Sequence, residues 1–385
     1  MFDPTAAAKA VAPVLRQHSA DADLMRSVAP EAVAAMSSAG LARILAPKAY
    51  GGYEASVSAQ VHACIATAHA CSAASWVNMV CAAHTYVVAR FPKACRDNVF
   101  SKCPDVLIPG ALAPQGEITR AGDSWIVNGR WHYASGIDHG AFVLLGCLGA
   151  RSSDGARMPP MHVVVPRDKI SVEDTWHTLG LRGTGSKDLI ATNVLVPASH
   201  AMETAPMFNG ELDGDVESLY RLPVMGGLAS MLAGTVVGFT EAGLATFVDV
   251  TRFRREAYAG AQKAAKVGVQ LRVAESTGEV ALARASLEEN CKIFDESLRT
   301  GALPLPFEMR VQLRWNAAYA VELCRRASER LSAISGAHAL YDAHPLQRFF
   351  RDVSMASRHA IVDFDNVSEV KGRATLGLDP LPGLV

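Results

Sequence analysis

The stretch Trp176-His177-Thr178-Leu179-Gly180-Leu181-Arg182-Gly183-Thr184-Gly185-Ser186-Lys187-Asp188, running on to Val194-Leu195-Val196-Pro197, decides what kind of fold this chain can have. Its glycines invite a phosphate-loop reading. Such a loop needs a strand before it and a helix after it, so that the helix N-terminus meets the phosphate. Residues 188–196 are instead rich in Val, Ile, Leu and Thr, which predicts a strand, and no Gly-Lys-Ser/Thr is present. The run reads as a turn between two strands. Neither NAD(P) nor a nucleoside triphosphate is expected to bind through it.

Outward from that turn the chain changes texture twice. Residues 1–104 are Ala-rich and helical in pattern, with breaks at Pro30, Gly40, Pro47 and Gly51-Gly52, and a long helix over Ser75 to Arg90 ended by Phe91-Pro92. Residues 105–205 carry short runs such as Trp125-Ile126-Val127, Phe142-Val143-Leu144-Leu145 and His162-Val163-Val164-Val165, with turns at Ala121-Gly122-Asp123 and Asn128-Gly129. Residues 206–385 return to helix in four segments, 222–258, 260–299, 306–335 and 345–370. Helices, then strands, then long helices predict an α+β fold with three domains in separate layers rather than an alternating βαβ fold.

Composition removes several function classes. At 385 residues, half of them hydrophobic, the chain can bury a large core. A net charge of −1 without a run of like charges gives no footprint for nucleic acid. Leu222 to Thr240 has no charged residue and contains Gly234-x-x-x-Gly238, but Pro223 and Gly226-Gly227 favour a buried helix packed through small residues over a membrane span. Eight cysteines without a C-x-x-C, and no apolar leader after Met1, predict reduced thiols in the cytoplasm. His62-x-Cys64 and His69-x-Cys71 lie on an Ala-rich helical segment, where they are read as core positions, so no metal is expected.

Two further stretches carry chemistry. Upstream of the turn stands Asn128-Gly129-Arg130-Trp131-His132-Tyr133-Ala134-Ser135-Gly136-Ile137-Asp138-His139; near the C-terminus stands Pro345-Leu346-Gln347-Arg348, leading into Arg351-Asp352-Val353-Ser354-Met355-Ala356-Ser357-Arg358-His359-Ala360. With the turn itself, and in this order, they resemble the acyl-CoA dehydrogenase superfamily, and the Ala-Ser-Gly-x-Asp form is similar to its two-component (group D) flavin-dependent monooxygenases. The resemblance spans nearly the whole chain. It implies an N-terminal helical domain, a central β-barrel-like domain and a C-terminal four-helix bundle that also serves oligomerisation, with a homotetramer expected.

The same resemblance bears on the reaction. Dehydrogenation of a thioester needs a carboxylate to take an α-proton. The superfamily's two positions for that carboxylate match Ala360 and Tyr220 here, and neither side chain can serve. The resemblance therefore implies an oxygenase component that uses O2 and diffusible reduced FMN or FAD, delivered by a separate NAD(P)H:flavin reductase, to hydroxylate a phenolic or other aromatic or polycyclic substrate through a C4a-hydroperoxide. It matches Ser135 to a serine near flavin N5, His84 to a substrate-side histidine, and His359 to the group that deprotonates a phenol or polarises the hydroperoxide. Flavin contacts are expected from Trp131, Ala134, Ser135, Gly136, Arg182, Gly183 and Thr184, and from Arg255 to the flavin phosphate. The alternatives are oxygen transfer to nitrogen or sulfur by the same mechanism, and an acyl-CoA dehydrogenase whose base would be Glu217 or Glu241.

Overall fold

The computed structural model describes residues 2–151, 156–212, 214, 216–255 and 260–379. Six helices come first: α1 (Pro4–Gln17), α2 (Ser19–Met25), α3 (Pro30–Ser38), α4 (Val57–Ala68), α5 (Ser72–Val88) and α6 (Lys93–Phe100). Side chains of Asp3, Ser56 and Cys71 take the first free N–H groups of α1, α4 and α5. Seven strands follow: β1 (Gly110–Ala121), β2 (Ser124–Ala134), β3 (Phe142–Gly149), β4 (Met161–Pro166), β5 (Ser171–Glu173), β6 (Lys187–Pro197) and β7 (Ala201–Glu203). The rest is helical: α7 (Thr204–Asn209), α8 (Val224–Phe253), α9 (Val267–Thr300), α10 (Phe307–Ser335), α11 (Pro345–Ala356) and α12 (Phe364–Thr375). The α+β layering expected from the sequence is the observed architecture.

All seven strands form one sheet in the order β5-β6-β2-β1-β3-β4-β7, with β1 and β3 parallel and every other pair antiparallel. Irregular register at Ala111/Pro114, Pro114/Gly116, Val127/Gly129 and Trp131/Ala134 marks bulges, which bend strands. The bent sheet encloses a core of its own around Trp131, Ile118, Val143 and Leu189. Gly116 is required there: a Cβ on it would lie 1.9 Å from the Trp131 ring.

Around α8, the helices share a second and larger core. From Val224 on, the uncharged stretch noted in the sequence is the N-terminal half of this helix and a little more, and it is buried against α4, α5, α9, α10 and α11. Gly234 and Gly238 let α8 approach α4: a Cβ on Gly238 would stand 2.6 Å from Ile65 O and from Ala68 Cβ. The last segment departs from expectation. Residues 345–370 are not one helix but α11 and α12, separated by a short 3-10 turn over Ala360–Val362. Two local caps explain the break. His359 Nδ1 accepts Ile361 N–H at 3.3 Å, and Asp363 Oδ1 accepts Asn366 N–H at 2.9 Å to start α12.

Candidate active site

Helix α5 brings one face to the sheet. Trp76 and His84, eight residues apart, lie on similar sides of the helix. Trp76 Nε1–H donates to Ser135 Oγ at 3.1 Å, and His84 Nδ1 lies 2.8 Å from Ile108 O. Ser135 comes directly after β2 and is followed by Gly136, whose φ of +75° and close approach to Val77 (2.6 Å from a would-be Cβ) favour glycine. Gly136 N–H donates to Thr184 O at 2.8 Å, which seats the Ser135 turn on the Gly-rich turn.

A file of hydroxyls runs between the two turns. Ser135 Oγ is 2.7 Å from Ser186 Oγ, Ser186 Oγ is 2.6 Å from Thr184 Oγ1, and Thr184 Oγ1 donates to Leu181 O at 2.8 Å. All three hydroxyl residues are buried, Ser135 keeping 7% of its surface accessible. Trp176 Nε1–H also reaches Leu181 O, at 2.9 Å, and Trp176 packs on Tyr133. The Gly-rich turn is pinned from the C-terminal side. Asp352 on α11 accepts Leu181 N–H at 2.6 Å and a hydrogen bond from Ser72 on α5, while Arg351 holds Leu179 O and Asp23. Burial pushes the Asp352 carboxyl above the usual carboxylate range, and its hydrogen bonds oppose that rise.

His359, in the α11–α12 link, meets Trp76 edge-on with ring centroids 5.9 Å apart. Its ring is open to solvent yet crowded by protein, and that crowding pushes its pKa below the ordinary histidine value. Because Nδ1 accepts Ile361 N–H, the neutral ring carries its proton on Nε2, an assignment that follows from the hydrogen bonding. Nε2 has no partner among the described residues. Trp76 thus touches both Ser135 and His359, and it links the two groups the sequence had paired.

Over 382 residues the chain is 30% identical to the "p-hydroxyphenylacetate 3-hydroxylase, oxygenase component" of Acinetobacter baumannii, covering 97% of this chain and 89% of that relative. It belongs to the group D flavin-dependent monooxygenases of the acyl-CoA dehydrogenase superfamily. Two family descriptions agree: "Acyl-CoA dehydrogenase, N-terminal domain" matches residues 5–94 and "Acyl-CoA dehydrogenase, C-terminal domain" matches 230–364. The "FADH(2)-dependent resorcinol hydroxylase, oxygenase component" of Rhizobium sp. (strain MTP-10005) is 30% identical over 381 residues, 96% of this chain and 93% of that relative. Among solved structures, XiaF from Streptomyces sp., in complex with FADH2 and glycerol, superposes with a TM-score of 0.92 at 25% identity, over 99% of this chain and 97% of that one.

In this group D monooxygenase the other expected site residues are dispersed. Ala134 and Gly183 are buried beside Ser135 and Thr184, and a Cβ on Gly183 would come within 2.9 Å of Ala22 and Ala73. Arg182 is half-buried in the same turn. Trp131 needs correction as a flavin contact: its side chain is fully enclosed in the sheet core, with Nε1–H on Gly146 O at 2.6 Å, so it supports the site from behind. Arg255 is exposed at the end of α8 and donates to Gly260 O at 3.0 Å; its neighbours Glu256, Ala257 and Tyr258 lie outside the described residues. His84 is buried and packed near His162; burial pushes both imidazoles down to about 4. Trp76 and Ser186 were missed in the sequence. The eight-residue step from Trp76 to His84 was the available signal for the first.

No displaced base appears at the positions considered. The Tyr220 ring is fully buried and its hydroxyl donates to Leu45 O at 3.1 Å. Glu241 is bound to His69 and Arg284, at 2.6 and 3.1 Å, and Glu217 stands exposed ahead of Tyr220. Asp352 has both oxygens engaged. Cys64 and Cys71 are buried, whereas His62 and His69 reach toward α9 and α8 to meet Glu288 and Glu241. His62, Glu288 and Cys291 do come together between α4 and α9, where the His62–Glu288 pair at 3.0 Å already satisfies the imidazole.

Proposed function

We propose that the chain is the oxygenase component of a two-component system that hydroxylates a phenolic or other aromatic substrate with reduced flavin and O2. The observation that carries this reading is the His359 imidazole set edge-on against Trp76, whose indole N–H reaches Ser135, while Glu241 and Asp352 are held in other bonds and Glu217 stands exposed ahead of Tyr220. The residues present fit a flavin: Ser135 Oγ has an acceptor position left over, His359 Nε2 is open, and Gly136 and Gly183 keep both turns in close contact. Ser135, Gly136 and Arg182 would hold the ring edge, with Arg255 reserved for the phosphate; Thr184, expected as a contact, is buried behind Ser135 with its hydroxyl on Ser186 and Leu181 O.

Bound reduced flavin supplies the two electrons with which one atom of O2 enters the substrate and the other leaves as water. The protein supplies orientation and a proton inventory. With Nδ1 taken by Ile361 N–H and its proton on Nε2, His359 would polarise the reacting oxygen as a hydrogen-bond donor, the second of the two roles the resemblance implied, and crowding disfavours its imidazolium. Trp76 fixes the His359 ring and donates to Ser135. His84, buried and neutral, shapes the inner wall.

A separate NAD(P)H:flavin reductase is part of the proposal, as is a homotetramer. The exposed apolar side chains Phe253, Val267, Leu271 and Leu282, at the end of α8 and along α9, support burial against further copies. A cytoplasmic setting is consistent with eight free cysteines, seven of them buried. The deciding experiment supplies photoreduced FMN or FAD anaerobically, then oxygenated buffer with a panel of phenols, and identifies products by mass. A hydroxylated phenol formed by wild type, and lost in His359→Ala with flavin binding intact, supports the proposal. Bleaching of bound oxidised flavin by an acyl-CoA without oxygen would replace it with dehydrogenation.

A further inference from the structure

From the hydroxyl file we infer that Ser186 and Thr184 set Ser135 as a hydrogen-bond acceptor, and so make the site discriminate between reduced and oxidised flavin. The inference rests on the proposed function and adds the physical origin of its redox selectivity.

Trp76 Nε1 can only donate, so the 3.1 Å contact occupies one lone pair of Ser135 Oγ. At the far end, Leu181 O can only accept, so the Thr184 hydroxyl proton points to it across 2.8 Å. Each hydroxyl has a single proton. With the proton of Thr184 committed, the 2.6 Å contact to Ser186 must be donated by Ser186, and the 2.7 Å contact between Ser186 and Ser135 must be donated by Ser135. Polarity therefore runs Trp76, Ser135, Ser186, Thr184, Leu181. Ser135 is left with one unused lone pair and no proton to give, so a ligand atom meeting that lone pair must bring a hydrogen.

Reduced isoalloxazine carries N–H at N5, whereas oxidised isoalloxazine has a bare lone pair there. For Ser135 to donate, either its own hydroxyl must leave Ser186 or the whole file must reverse, withdrawing Thr184 from Leu181 O; each route forfeits one hydrogen bond. That carbonyl also receives Trp176 Nε1–H at 2.9 Å and Thr184 N–H at 3.1 Å, so reversal forfeits one bond of three rather than stranding the acceptor. Loss of a single neutral hydrogen bond corresponds to about three- to tenfold in affinity. Ser186 and Thr184 are positioning residues in this account, acting through Ser135.

The test measures dissociation constants of full-length wild type, Thr184→Val and Ser186→Ala for photoreduced and for oxidised FMN and FAD, by anaerobic fluorescence titration, with circular dichroism as the check on folding. Wild type should favour reduced flavin. Both variants free the Ser135 proton, so the ratio of oxidised to reduced dissociation constants should fall by about three- to tenfold, mainly through tighter oxidised binding. The two-electron potential of bound flavin should fall accordingly, by about 30 mV per tenfold. An unchanged ratio in both folded variants overturns the relay while leaving the functional reading in place. A wild type that binds neither redox form overturns both.

Discussion

Asp352 on α11 accepts the backbone N–H of Leu181 at 2.6 Å, and that single bond fastens the C-terminal helices to the Gly-rich turn of the sheet. The same carboxylate takes the Ser72 hydroxyl at the start of α5. One buried side chain therefore meets at once the helix leading to His359, the turn carrying Thr184 and Ser186, and the helix carrying Trp76.

Removing that carboxylate should loosen all three. Asp352→Ala strands a buried N–H and is expected to lower stability by about 1–3 kcal/mol. Asn keeps an acceptor for Leu181 and cannot ionise. Because burial raises the Asp352 pKa above its usual 3.8, the stability carried by the protonated form is full at low pH and lost as pH rises through the folded value. Asp352→Asn should therefore match wild type in acid and equal or exceed it at pH 7. Urea midpoints at both pH values check this; equal losses in Asn and Ala at neutral pH would contradict it.

Acid should weaken the fold through His84 and His162. Both are pushed down to about 4 by burial, against an ordinary value of 6.5. Their neutral forms belong to the folded state, so their contribution is intact above about pH 6.5 and declines as pH falls toward 4, by on the order of 3 kcal/mol each at full protonation. Thermal midpoints from pH 7.5 to 4.5 should show that decline, and it should flatten in His162→Gln.

Trp76→Phe keeps a ring against His359 and deletes the N–H given to Ser135. The fold should survive. Reduced flavin should bind about three- to tenfold more weakly, and a larger share of the oxygen consumed should appear as hydrogen peroxide in a coupled catalase assay. Normal affinity and coupling would remove Trp76 from the site.

Gly136→Ala places a Cβ 2.6 Å from Val77 Cγ1 at a φ of +75°. Strain and overpacking together should cost about 1–3 kcal/mol, with Ser135 displaced from Trp76. The expected signature is a lower melting temperature accompanied by weaker flavin binding, whereas Gly122→Ala, at an open turn with nothing within 4 Å, should leave flavin binding alone.

Much of this protein was written locally. Residues 188–196 are strand formers, so the glycine run before them could not open a phosphate-binding helix, and the order of helical, stranded and helical blocks gave the α+β class. The uncharged run before Thr240 belonged to a core helix because its small residues meet α4 at close range. Ser135, Thr184 and His359 were found as neighbours in motifs, and the fold does bring the first two into one hydrogen-bonded file. Trp131 misled, since an indole beside a glycine-rich strand can face either side of the sheet and a one-residue bulge decides which.

Local pattern thus determined the secondary elements, the layering and the absence of a carboxylate at Ala360 and Tyr220, because these depend on which residue occupies which position along the chain. Tertiary structure alone decided that Trp76 bridges Ser135 and His359, that Asp352 clasps Leu181, and which way the hydroxyl protons point. Those relationships join residues between 2 and 283 positions apart, from Thr184 and Ser186 to Trp76 and His359. A hydrogen's direction is set by what stands at both ends of its chain of bonds, and only the folded molecule brings the ends together.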